Sequence, residues 1–414
     1  MTSTVHHRVL SRRQVLAGAV AMGIELAAPA VVRAQPQALK IAVLLPRSGY
    51  LAQAGQSCHR GALIAPKVLA DFDYRVELLH ADIESNPETA RALAQRVINE
   101  GAQCVVGAFD SASTLAIAQV CEQRQIPLVV NIGSAPQLTE QGYQFLVRNF
   151  PTSAMLLSNG LARIKDVIAA TNIRPRTAIF VHANDNFGTA QRQAMDKMLP
   201  NAGLPFRLVK FIPFDPSAQD LAPEVTKIRG HNPDLVLVVT RPADAVKLVR
   251  DMVRQHFQPM AIISLGARGL FDEELYQALG PLADYHIDVL PWAKQKSGLT
   301  QALAAAFKLE QPNFRFVVEC FNVGFTFEAL LIAADAFRRA GSASGRELMA
   351  AIKATDIADH IMIGPAIRFD QRGQNSGIPS ACVQNRQRTP TVVLPPDVAT
   401  MAPVLPEPPW LGRS

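Results

Sequence analysis

The alternation of short apolar runs with longer amphipathic ones constrains this chain more than any other feature. Residues 39–45, 76–80, 104–106 and 127–130 read as strands, with helical patterns at 55–72, 87–99 and 111–123 between them. Asn86-Pro87 supplies a cap and a first-turn proline for the second of those helices. A second series follows, with helices at 152–170, 188–199, 218–228 and 243–256 and strands at 177–181, 206–211, 235–239 and 261–264. The strands are rich in Val, Ile and Leu and hardly alternate with polar residues, as strands covered on both faces do. Such a βαβα rhythm builds a parallel sheet with helices on both sides. Two series in succession imply two doubly wound α/β lobes, and 414 residues are too many for a single core. Helical patterns return at 299–307, 317–340 and 346–353, with β-like pieces at 367–369 and 381–383. The Pro-rich stretch 396–414 is expected to lie extended over the surface.

The N-terminus reads as an export signal. Arg12 and Arg13 precede an apolar stretch from Ala17 to Val32, and Val32-Arg33-Ala34 has the pattern a signal peptidase cleaves. Residues 1–34 are therefore expected to be a leader of the twin-arginine type, although Val15 and Ala17 depart from that pattern. Glu25 and Pro29 interrupt the run and argue against a membrane anchor. The processed chain is expected to be soluble and periplasmic. Its five cysteines are widely spaced and include no CxxC, so neither a disulfide framework nor a zinc site is expected. Cys104 and Cys121 read as small buried hydrophobes.

Charge and motif content exclude several functions. The net charge is +6, but Lys and Arg are scattered and aromatic residues make up only 6%, so no nucleic-acid footprint is present. No G-x-S-x-G elbow surrounds Ser111, which weakens the alternative of a hydrolase. The histidines form no metal-binding pair, and His182 alone follows a strand closely enough to line a cleft. Gly107 and Gly133 stand alone, so no phosphate-binding loop and no cofactor is expected. Glu273 and Glu274 are expected to meet water.

Open α/β sheets bind ligands beyond the carboxyl ends of their strands. The residues there are Arg47-Ser48-Gly49, the run Asp110 to Thr114, Asn131 to Ser134, Asn184 to Gly188, Thr240-Arg241 and Gly266 to Gly269. Val105-Val106-Gly107-Ala108-Phe109-Asp110-Ser111 resembles the segment after the third strand of type I periplasmic binding proteins of the branched-chain amino-acid-binding group. The resemblance continues through Ser134-Ala135-Pro136, Arg148, Phe187-Gly188, Asn232-Pro233-Asp234 and Ile363-Gly364-Pro365. It implies two lobes joined by three crossovers and closing on a cleft, with residues 39–150 plus 292–362 in one and 151–291 plus 363–395 in the other. It implies an ABC importer's solute-binding protein, a monomer that passes a small carboxylate ligand to permease subunits. A ligand-sensing subunit of a signalling receptor is the alternative.

By the same resemblance, Ser111, Ser134 and the backbone near Ile132 hold a ligand carboxylate, helped by the dipole of the helix that starts at Ser111. Phe187 closes over the ligand. Asp110 is expected only to cap its helix. The acid that pairs with an amino-acid ammonium falls on or near Gly266, and the neighbouring contact falls on Arg241. Losing the acid and gaining Arg241, to which Arg268 and Arg47 could add from their own strand-end loops, favours an organic or aromatic acid, or an amide, over a simple branched-chain amino acid.

Overall fold

The computed structural model describes residues 38–413, so the leader expected over 1–34 lies outside the described residues. The first lobe opens with β1 (Leu39–Leu45), α1 (Ala52–Ala70), β2 (Val76–Asp82) and α2 (Pro87–Asn99). It continues with β3 (Cys104–Gly107), α3 (Ser111–Arg124), β4 (Leu128–Val130), α4 (Gln137–Glu140) and β5 (Leu146–Arg148). Its five strands are all parallel in the order β2-β1-β3-β4-β5. The apolar runs of β3 and β4 are buried throughout, as strands covered on both faces must be. Asn86 caps α2 by accepting from the amides of Glu88 and Thr89 at 2.8 and 3.1 Å.

The chain crosses to the second lobe at α5 (Ser153–Thr171). There follow β6 (Thr177–Ala183), α6 (Asn186–Met198), β7 (Arg207–Phe214), α7 (Ala222–His231), β8 (Leu235–Val239), α8 (Pro242–Arg254), β9 (Ala261–Leu265), α9 (Glu273–Leu279) and β10 (Ile287–Leu290). It crosses back for α10 (Gly298–Glu310), α11 (Phe316–Ala340) and α12 (Gly345–Lys353), then ends with β11 (Ala381–Asn385) and β12 (Pro390–Leu394). The second sheet runs β12-β11-β10-β9-β8-β6-β7, parallel from β7 to β10, with β11 and β12 antiparallel. Among the described residues, α11 is the one helix long and apolar enough to cross a membrane. It packs instead inside the first lobe, nearly all of it buried.

Two other segments differ from expectation, and a third is held by contacts that its composition does not reveal. Residues 363–375 stay beside the first sheet: Ile367 bridges back to Ile357, and Gln374 bridges to Arg148 along β5. The third crossover thus comes after Asn375, later than Ile363. β10 has no clear apolar signature because Asp288 stands within it, accepting from the amides of Gly269 and Leu270 at 3.1 and 3.2 Å. The Pro-rich tail forms no regular element, yet it is anchored. Glu407 is buried and accepts from the Ile262 amide at 2.8 Å, with His286 at 3.0 Å and Arg413 at 3.2 Å.

A single buried carboxylate gathers the crossovers. Glu328, on α11, accepts from the Met362 amide at 2.7 Å, from His360 Nδ1 at 2.9 Å and from Asn149 Nδ2 at 2.6 Å. Asn149 in turn accepts from Asn375 at 2.8 Å, and Lys294 Nζ lies 2.9 Å from His360 Nε2. All five cysteines are buried and unpaired. Burial pushes the thiols of Cys58, Cys104, Cys320 and Cys382 up to about 12.

Candidate ligand-binding site

The carboxyl ends of both sheets open on one cavity of about 820 Å³, counting its mouth. Ser111, Ile132, Ser134, Phe187 and Arg241, the five residues singled out from the sequence, all line it.

On the first lobe, Asp110 caps α3 through Oδ1, which accepts from the Ser113 amide at 2.8 Å. The next residue, Ser111, lies almost fully buried and its hydroxyl oxygen accepts from the Ala135 amide at 3.2 Å. Ser134 accepts from the Ser153 hydroxyl at 3.1 Å. Each serine keeps its own O–H for another partner. The loop that carries Ser134 rests on Arg148, which is fully buried. Arg148 donates to the carbonyls of Gly133 and Ala135 at 3.1 and 2.7 Å, to Thr139 Oγ1 at 2.7 Å and to Gln374 Oε1 at 2.6 Å. Burial pulls its guanidinium down to about 9.

On the second lobe, Gly188 lets the start of α6 close against β6, because a Cβ there would meet the Ala183 carbonyl oxygen at 2.0 Å. That places Phe187 on the cavity wall. Arg241 arrives at the start of α8 already partnered: Nη2 lies 2.7 Å from Asp185 Oδ2. Burial opposes its charge, but Asp185 and Asp244 more than offset this and raise the guanidinium further. Nη1 stays buried without a partner. Gly266 has φ +76, and a Cβ there would lie 2.6 Å from Leu156 Cβ, so no acidic side chain fits.

Other expectations fall differently. Arg268 lines the cavity but is spent on ion pairs, with Nη2 2.7 Å from Asp272 and 3.2 Å from Glu319. Arg60 also pairs with Glu319 at 2.7 Å, and Gln53 donates to Asp272 at 2.6 Å, so this network joins the two lobes. Arg47 lies outside the lining and approaches His59 at 3.5 Å. His182 also lies outside it, buried with Nδ1 3.0 Å from the Ala183 carbonyl. Glu273 does not simply meet water: Arg315, from the first lobe, holds it with two bonds of 2.6 and 3.0 Å.

Phe150, Phe321 and Asn322 also line the cavity, and no sequence signal points to them. The last two come from the interior of α11, where no strand end marks them. Thr240 is one of the strand-end positions named from the sequence, and Tyr50 adjoins another, Gly49. The apolar wall therefore combines Phe109, Ile132, Phe150, Phe187 and Phe321, with serine hydroxyls on one lobe and arginines on the other. This suits a small molecule with an apolar body and an anionic or hydrogen-bonding end.

Residues 38–383 match the model of a family described as periplasmic binding protein. The chain is 22% identical over 332 residues to the leucine-, isoleucine-, valine-, threonine- and alanine-binding protein of Pseudomonas aeruginosa, covering 76% of this chain and 82% of that one. A leucine-binding protein from Thermotoga maritima has a similar fold, with a TM-score of 0.71 and 21% identity over 87% of this chain and 99% of that one. An ABC transporter solute-binding protein from R. palustris, solved with benzoate, aligns with a TM-score of 0.73 and 19% identity over 88% and 98%. The two lobes, the cleft and the family match agree: the chain belongs to the periplasmic binding protein family, in the type I group that includes the branched-chain amino-acid-binding proteins.

Proposed function

We propose that this chain is the periplasmic solute-binding subunit of an ABC importer, exported by its N-terminal leader and acting as a monomer that hands its ligand to permease subunits. Its ligand is a small carboxylate with an apolar body, an organic or aromatic acid or an amide, and not a simple branched-chain amino acid. The observation that carries this reading is the cavity itself: one apolar wall, two serine hydroxyls with unspent hydrogens, and no room for an acid at Gly266. An α-ammonium buried beside Gly266 would lack its counter-charge there. The relatives named above bind amino acids or benzoate, which brackets this range.

The residues proposed to hold the ligand are Ser111, Ile132, Ser134, Phe187 and Arg241. The two sheets act as lobes whose closure is stabilised by contacts made to both at once. The chain binds without transforming its ligand: Ser111 bonds only the Ala135 amide, with no basic side chain to activate it. Titration calorimetry on ligand-stripped protein tests the reading. Saturable heat with organic or aromatic acids supports it, while tight leucine or valine binding with no response to such acids contradicts it.

A further inference from the structure

Buried polar atoms without partners gather on this cavity. They are Asp110 Oδ2 and Asn322 Oδ1 on the first lobe, and Thr240 Oγ1, Arg241 Nη1 and Arg268 Nε on the second. A buried polar atom left unpaired bears its full desolvation cost, so such atoms mark places where a ligand's polar groups are wanted.

Asp110 stands out when compared with its counterparts. Asp185 and Asp272 also cap helices at this cleft, through bonds to the amides of Gly188 and Glu274. Each sets its other oxygen on an arginine, Asp185 on Arg241 and Asp272 on Arg268, both at 2.7 Å. Asp110 spends Oδ1 on the Ser113 amide in the same way, but its Oδ2 has no hydrogen-bond partner and no ion pair, although the Ser113 hydroxyl and Arg241 lie close enough to favour its charge. Capping needs only one oxygen, so it leaves the burial of the second unexplained. Burial also raises the carboxyl above its usual range. A ligand bringing only a carboxylate to Ser111 would set one acceptor beside another.

We propose that Asp110 determines specificity: its Oδ2 accepts a hydrogen bond from a donor on the ligand, so the preferred ligand is an acid carrying a second, hydrogen-bond-donating group. This rests on the acid-binding reading of the cleft and narrows it. The donor is a neutral hydroxyl or amide; the chemistry at Oδ2 is shared.

The test is calorimetry on the ligand-stripped chain with sets of acids differing by one group. The aromatic set is benzoate with 3- and 4-hydroxybenzoate; the aliphatic set is 4-methylpentanoate with 2-hydroxy-4-methylpentanoate. The wild type is expected to favour a donor-bearing member over its bare parent by about tenfold or more. Asp110→Ser keeps a capping oxygen and removes Oδ2, and should bring the two within about threefold without weakening the bare acid. Asp110→Asn keeps the cap through Oδ1 and puts a donor in place of Oδ2; it reads the same loss of preference should the serine variant not fold. Equal binding of bare and substituted acids by the wild type overturns this inference alone, as does a preference unchanged in both variants. No heat from any acid overturns the acid-binding reading and this inference with it.

Discussion

Arg241 lies under two competing demands. Asp185 holds one arm at 2.7 Å, while Nη1 is buried and unpaired on the cavity wall. A ligand oxygen meeting Nη1 would make a charge-assisted bond, so Arg241→Ala should weaken the best-binding acid by about 1.5–3 kcal/mol. Calorimetry on both proteins checks this, and unchanged affinity removes Arg241 from the site. Asp288 offers a second test. Burial holds its carboxyl at about 7, above the ordinary 3.8. The folded chain keeps that proton longer than the unfolded one. The contribution to stability is therefore present below the unfolded value and lost as pH rises through about 7. Asp288→Asn should reduce the fall in stability between about pH 5 and pH 8 by on the order of 2 kcal/mol. Thermal unfolding at both pH values reads this out; an equal fall in the two proteins contradicts it. Ser111, Ser134 and Arg241 were legible in the sequence because each follows a strand of an open sheet. The ion pair that occupies half of Arg241 was not, since Asp185 is brought to it only by the β6–β8 pairing.

At the scale of elements, long apolar runs were legible and short or polar ones were not. β1 and α11 emerge from apolar pattern alone, whereas β10 hides behind its buried aspartate and β5 is three residues long. What anchors the tail was not legible for a related reason: proline content signals an extended chain but says nothing about what holds it. Glu407 is that anchor, joining the tail to β9 and to His286 on the second lobe. Glu407→Ala leaves Arg413 and the Ile262 amide without their buried partner. It should destabilise the protein by about 3–5 kcal/mol, the usual cost of breaking a buried pair. Urea unfolding measures this, and a loss below about 1 kcal/mol would show the tail to be a loose surface strand after all.

At the scale of the molecule, closure depends on what joins the lobes. Glu328 fastens the first crossover at Asn149, which Asn375 joins at the start of the third, with Lys294 from the second beside Glu328 through His360. Arg268 and Arg315 add ion pairs between the lobes at Glu319 and Glu273. Arg315 is partly exposed, so Arg315→Ala should cost no more than about 1 kcal/mol of stability; a larger loss in chemical denaturation would assign that pair a structural role. The order of lobes and crossovers was largely readable from two βαβα series and the family resemblance. The late return of residues 363–375 to the first sheet was not, because it depends on Gln374 meeting Arg148. Small-angle scattering of the ligand-stripped chain, with and without a saturating acid identified by calorimetry, tests the central claim most directly. A smaller radius of gyration on binding is the predicted result; an acid that binds without changing it would contradict a clamp that closes on its ligand.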